Sequence, residues 1–180
     1  MAIPVKPELL PPQPRMTRLF LYLENRMNDP ISMAADLCRQ FEGLRLAPYL
    51  CPAGYWSIGY GSRFLANGAA VTARTAPITA EQADALLLLT LRRIQPELHQ
   101  IVHGSLLPGK EAALLDFAFN LGLSALAGST LLRLLNAGQD IQAGEQLLLW
   151  DHMHKNGQLI TVPGLTRRRQ AEWHLWVGAA

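Results

Sequence analysis

The spacing of hydrophobic and polar positions changes character along this chain. From Met16 to Met27 apolar side chains fall at 16, 19, 20, 23 and 27, the three-and-four spacing of a short amphipathic helix. Asn28-Asp29-Pro30 then reads as a helix start, with Asp29 as N-cap and Pro30 as the first helical residue. That helix runs to about Phe41, and Gly43 serves as its stop. Across residues 44–60 the pattern turns to strand formers. Leu44, Leu46, Tyr49, Tyr55, Trp56, Ile58 and Tyr60 lie on either side of a Pro52-Ala53-Gly54 turn. This predicts a β-hairpin, with a third strand near Ala69–Ala73. Thr79-Ala80-Glu81-Gln82 is a capping box that opens an apolar helix to about Ile94, where Pro96 bends or interrupts it. The remainder reads as helices: Gly109–Leu121 ending at Gly122, one from Ser129 or Thr130 to Gly138, one from Asp140 to Trp150, and a last over about Leu165–Trp176. A helix, a small sheet and then a helical lobe make an α+β architecture of segregated elements, not alternating βαβ units.

Composition narrows the class. The chain has 180 residues, 49% of them hydrophobic and 17% charged, which suits one globular domain and excludes a disordered chain. The net charge of +2 permits an anionic partner but does not demand nucleic acid. Residues 1–15 carry five prolines and read as an extended arm. No secretory signal is visible, and the apolar stretch Leu19–Leu23 is far below the roughly 20 residues needed to span a bilayer. The expectation is a soluble chain made in the cytoplasm.

Several local signals lose to simpler readings. Gly104–Lys110 imitates a phosphate-binding loop, but Glu111 stands where Ser or Thr would hold magnesium, and no strand precedes it. Gly59-Tyr60-Gly61 lacks the rest of a dinucleotide fingerprint. His152 and His154 beside Asp151 have no further metal ligands in view and read as an exposed polar loop. Arg167-Arg168-Arg169 could form a nucleic-acid patch, with a solvated basic face as the simpler reading; three arginines span most of a helix circumference, so at least one must face inward or sideways. Two cysteines, Cys38 and Cys51, are too few for a disulfide scaffold and lack zinc spacing. Cys38 lies one helical turn before Glu42 and reads as a small buried apolar residue, with a Cys38–Cys51 disulfide as the alternative.

The segment from Glu42 to Ser62 carries the chemistry. A carboxylate stands at a helix end, a hairpin follows at once, and hairpin geometry brings Cys51 and Ser57 from its two strands towards that carboxylate. Walled by Tyr and Trp rings, Glu42 would be partly desolvated, which raises a carboxyl pKa as a proton donor at neutral pH requires. A solvated helix-end glutamate is the ordinary alternative.

This segment resembles the active-site region of the phage lysozymes of glycoside hydrolase family 24. Their pattern is Glu, eight residues, Asp or Cys, five residues, Thr; here it is Glu42, eight residues, Cys51, five residues, Ser57. Downstream, Ala113–Gly122 (ALLDFAFNLG) resembles the family's ALxSFAFNxG, Ser129–Gly138 (STLLRLLNAG) its STLLxxLNAG, and Pro163–Glu172 (PGLTRRRQAE) its PGLxxRRxAE. The matches span about residues 34–177 in order. Ser57 replaces Thr, keeping the hydroxyl, and Ser62 replaces the usual His.

The resemblance implies a two-lobed lysozyme fold: an arm and short helix over residues 1–30, and a lysozyme domain over 31–180 with a small lobe at about 42–78 and a helical lobe at about 79–180. It implies hydrolysis of the β-1,4 bond between N-acetylmuramic acid and N-acetylglucosamine in peptidoglycan. Glu42 would be the general acid, Cys51 would take the second catalytic position, and Ser57 would help orient water and substrate. A thiol with a reference pKa of about 8.5 is a poor base at neutral pH. Cys51 therefore stands as thiolate nucleophile, weak base or water contact. Phe119 and Asn120 match a cleft-lining helix and would touch substrate, with a core role the alternative for Phe119. One arginine of 167–169 would pair with Glu42. The same resemblance implies no metal or organic cofactor, no nucleic-acid partner, no stable membrane insertion, a monomer, and release to the periplasm through a phage-encoded pore to lyse the host. Two other activities stay open: a lytic transglycosylase using Glu42 alone, and a non-catalytic peptidoglycan-binding virion protein.

Overall fold

The structure, a computed structural model, describes residues 28–51, 54–155 and 157–178. The proline-rich arm and the helix read over residues 16–27 lie outside the described residues, as do Pro52 and Ala53 of the hairpin turn.

Helix α1 spans Pro30–Phe41. Asp29 caps it, its carboxylate accepting from the Ser32 amide at 3.1 Å and the Ser32 hydroxyl at 2.6 Å. Ile31, Ala34, Ala35 and Cys38 recur at helical spacing and are buried. The exit differs from the glycine stop read in the sequence. Glu42 itself leaves the helix in an extended conformation, its amide donating to the Cys38 carbonyl at 2.8 Å, and Gly43 takes no positive φ.

Strands β1 (Arg45–Leu50) and β2 (Trp56–Gly59) form the antiparallel hairpin, with Tyr49 opposite Ser57 and Leu50 opposite Trp56. The register slips between Arg45 and Tyr49, where Pro48 has no amide to give to the ladder. Gly59 has a φ of +67°, and a Cβ there would come 3.2 Å from the Ala83 Cβ, so the hairpin can lie this close to the next helix only with glycine at this position. The third strand expected near Ala69–Ala73 does not form. Turns about Gly61 and Gly68 break that segment into isolated bridges, Ile58 with Ser62 and Phe64 with Ala70. Ile58, Val71 and Leu86 pack beneath it as a small core of their own.

Helix α2 (Ala80–Ile101) opens with the expected capping box, both bonds of which are present between Thr79 and Gln82. It does not stop at Ile94. Pro96 sits inside a helix of 22 residues, and the fully buried Leu91 and Leu98 hold the turns on either side of it in the core. Helix α3 (Pro108–Leu121) is the hub, buried continuously from Glu111 to Ala118 and packed on α1, α2 and the last helix. Short helices α4 (Leu123–Ala127) and α5 (Thr130–Asn136) follow. The helix expected to run from Asp140 to Trp150 is α6 (Asp140–Glu145) continued by a 3-10 turn over Gln146–Leu149.

The segment read as an exposed loop around His152 and His154 is instead a second hairpin, β3 (His152–Lys155) and β4 (Gln158–Thr161). The histidines are exposed there; His152 Nδ1 lies 2.5 Å from Asp151 Oδ1, and its Nε2 pairs with the Thr161 hydroxyl at 3.0 Å. Both strands are largely solvent-facing, so no run of inward apolar residues marked them. Helix α7 (Pro163–Gly178) closes the chain, with Trp176 donating to the Asp140 carbonyl at 3.1 Å. A small hairpin lobe is thus set against a helical one, the two-lobed α+β arrangement expected.

Gly144 of α6 lies flat against α7. A Cβ there would stand 2.6 Å from ring carbons of Trp173 and Trp176. Gly144→Ala should therefore cost about 1–3 kcal/mol of stability in urea denaturation. A change below about 0.5 kcal/mol would show that the two rings shift freely.

Candidate active site

The end of α1 places Glu42 at the junction of the lobes, with 28% of its side chain exposed. Arg168 of α7 donates from Nη1 to Glu42 Oε1 at 2.5 Å. The other edge of the same guanidinium is held by Asp116 of α3, Nε to Oδ2 and Nη2 to Oδ1, both at 2.8 Å. Cys38, one turn back on α1, donates its thiol to Asp116 Oδ1 at 3.2 Å. Three helices thus converge on one buried cation. Burial, followed by the charge of Asp116, pushes the Cys38 thiol far up, so it remains a protonated donor. The Asp116 and Glu42 carboxylates outweigh the desolvation of Arg168 and push its pKa up.

The arginine triplet therefore divides. Arg167 is exposed, Arg168 clamps Glu42, and Arg169 is fully buried. A wholly solvated basic face is overturned, and so is a nucleic-acid patch made from the three together. Arg169 donates to Asn120 Oδ1 at 3.1 Å, lies 2.6 Å from Glu172 Oε1, and stacks 5.0 Å from the Phe117 ring centroid. Burial raises the Glu172 pKa, and the nearby Asp116 charge adds to the effect.

Two clefts meet at Glu42. One, of about 370 Å³, is lined by Glu42, Tyr60, Ser62, Arg63, Arg93, Phe119 and Asn120 among others. The other, of about 400 Å³, is lined by Glu42, Gln40, Asn120, Val162, Arg167 and Arg168 among others. Glu42 and Asn120 belong to both and form the waist between them. Phe119 packs partly on the core and also lines the first cleft.

The hairpin residues stand differently. Ser57 is buried on β2, and Cys51 follows β1, its amide bonded to the Tyr55 carbonyl at 2.9 Å. Neither lines the two clefts. Tyr49 pairs with Ser57 across the hairpin. The Tyr49 phenol is pushed up by burial, eased by Arg45, and pushed further by the charges of Glu42 and Cys51, so both lie within its electrostatic reach. Of the rings expected around Glu42, Tyr60 lines its cleft, whereas Tyr55 and Trp56 face solvent. The expected disulfide alternative is not realised, since Cys38 is a thiol bonded to Asp116.

Asp116 is the residue that sequence reading passed over. It stands where the family's helix pattern has Ser, and a charge inside the apolar run ALLDFAF was the available signal. Asp116→Ala leaves a buried guanidinium short of its main partner. It should destabilise the protein by about 3–5 kcal/mol in urea denaturation. A loss below about 1 kcal/mol would mean that water or Glu42 replaces the missing carboxylate.

Known proteins repeat this fold and order of motifs. The phage lysozyme family model matches residues 39–172. An endolysin of Acyrthosiphon pisum secondary endosymbiont phage 1 is 36% identical over 143 residues, covering 79% of this chain and 94% of that one. The muramidase domain of SpmX from Asticaccaulis excentricus superposes with a TM-score of 0.69 at 36% identity, covering 80% of this chain and 94% of that domain. The endolysin from Escherichia coli O157:H7 phage FAHEc1 does so with a TM-score of 0.72 at 28% identity, covering 82% and 92%. With the motifs of the catalytic segment, the fold and these likenesses in agreement, the chain belongs to the phage lysozyme family.

Proposed function

We propose that this protein, a lysozyme by family, is an endolysin that hydrolyses the β-1,4 bond between N-acetylmuramic acid and N-acetylglucosamine, with Glu42 as the general acid. One observation carries this reading. A half-buried carboxyl sits at the waist of two joined clefts, its orientation set by a guanidinium that is itself fixed in the core. A glycan strand laid through both clefts presents a glycosidic oxygen to Glu42. Proton transfer to that oxygen releases the leaving sugar and leaves an oxocarbenium-like centre for water to attack. Asn120, held by Arg169, offers its amide to the strand at the same point, and Phe119 supplies an apolar wall for a sugar ring. Ser57 and Cys51 belong to the hairpin, outside the lining of both clefts, and their part in directing water rests on the family pattern.

No helix among the described residues is long and apolar enough to cross a membrane. The likeness to endolysins supports action at the cell wall, and we assign synthesis to the host cytoplasm. The protein would act as a monomer after passing a phage-encoded pore.

Glu42→Gln keeps size and hydrogen bonding but removes the proton. It should lower peptidoglycan hydrolysis by at least about 100-fold while the circular dichroism spectrum is retained. Activity within about threefold of the original would remove Glu42 from the assignment. Mass spectrometry of the digest should show reducing-end muramic acid; anhydro ends would make the enzyme a transglycosylase.

Cys51 tests the second position. Cys51→Ala should lose most activity and Cys51→Asp should retain or raise it, as followed by release of reducing ends. Full activity in Cys51→Ala would make the thiol a bystander.

A further inference from the structure

The first cleft carries two cations that the reaction does not use. Arg63, just after β2, and Arg93, on α2, both line it together with Glu42, and both are exposed at its edge. Arg39, Lys110, Arg168 and Arg169 each hold an acidic partner. Among the described residues no carboxylate lies within ion-pair distance of Arg63 or Arg93. Arg63 lies instead over the Tyr55 ring, 3.6 Å from its centroid, which holds the guanidinium plane without neutralising its charge. Arg93 stands one helical turn beyond Thr90, which lines the same wall. The acid at this cleft, Glu42, already bonds Arg168 from the core side.

A backbone of N-acetylated sugars whose lactyl carboxyls are held in amide links to the stems is uncharged and does not call for two cations. The charged substituents of a peptidoglycan strand are its stem peptides, which bear free carboxylates and leave the strand sideways, towards solvent. The edge of the cleft is where such a substituent emerges, and forked guanidinium donors match carboxylates. We propose that Arg63 and Arg93 form a subsite for the carboxylates of the stem peptide on a muramoyl residue seated in this cleft. They thereby select stem-bearing strands over bare glycan. This rests on the hydrolytic reading above and adds the substrate feature recognised.

The test uses glycan strands of equal length, one set with tetrapeptide stems intact and one stripped by an amidase, with the lactyl carboxylates so exposed converted to methylamides. In the double variant Arg63→Gln/Arg93→Gln, kcat/KM on stem-bearing strands should fall about tenfold, mainly through KM. The loss should exceed that on stripped strands at least about fivefold, and Arg63→Lys/Arg93→Lys should recover part of it. Raising salt to about 0.5 M should narrow the preference of the original protein for stem-bearing strands. Equal losses on both strand types, or no loss on the stem-bearing ones, overturns the subsite. If the original protein cleaves neither type, the hydrolytic reading fails. Binding of a fluorescent tetrapeptide muropeptide then decides the subsite: about tenfold weaker binding by the double variant supports it, and equal binding overturns it.

Discussion

The Arg168 guanidinium, stripped of water and caught between Asp116 and Glu42, is the constraint on which the structure depends. Removing such ions from water costs several kcal/mol each, a cost offset only where every partner is in place. Here the partners come from α1, α3 and α7, so the helices must pack in one arrangement before the charge is satisfied. The rotamer of the active carboxyl follows from that packing rather than from its local chain. A half-exposed glutamate at a frayed helix end would sample many orientations; this one is tethered through its own amide and through its side chain.

A second buried pair backs the first. Arg169 and Glu172 lie one turn apart on α7, beneath Asn120, and carry the positioning outward to the amide at the waist of the clefts. Successive residues on α7 thus serve two cleft residues, Glu42 through Arg168 and Asn120 through Arg169. This works because adjacent helical positions point about 100° apart.

Much of this was legible in order of residues. The capping box at Thr79, the Asp29-Pro30 start and the strand formers of residues 44–60 all follow local rules, and the elements they announce are present. What escaped was tertiary. Pro96 reads as a break, yet buried leucines on both sides override it. Strand β3, with His152, Met153, His154 and Lys155 all exposed, has no inward face to betray it. Which of the three arginines turn inward, here Arg168 and Arg169, depends on the rotation of α7 against α3, a quantity no local pattern encodes. Asp116 was visible as a charge in an apolar run, but its meaning required Arg168 beside it.

The meeting of two clefts at Glu42 and Asn120 has a consequence for the wall itself. Clefts that lie on both sides of the proton donor would let a polymer bind anywhere along its length, with no need of a free end to begin. Under the proposed reaction, each event severs a strand internally and halves the distance over which tension is carried. A covalent mesh stretched by turgor ruptures after scattered internal breaks of this kind, long before much of its mass has been dissolved.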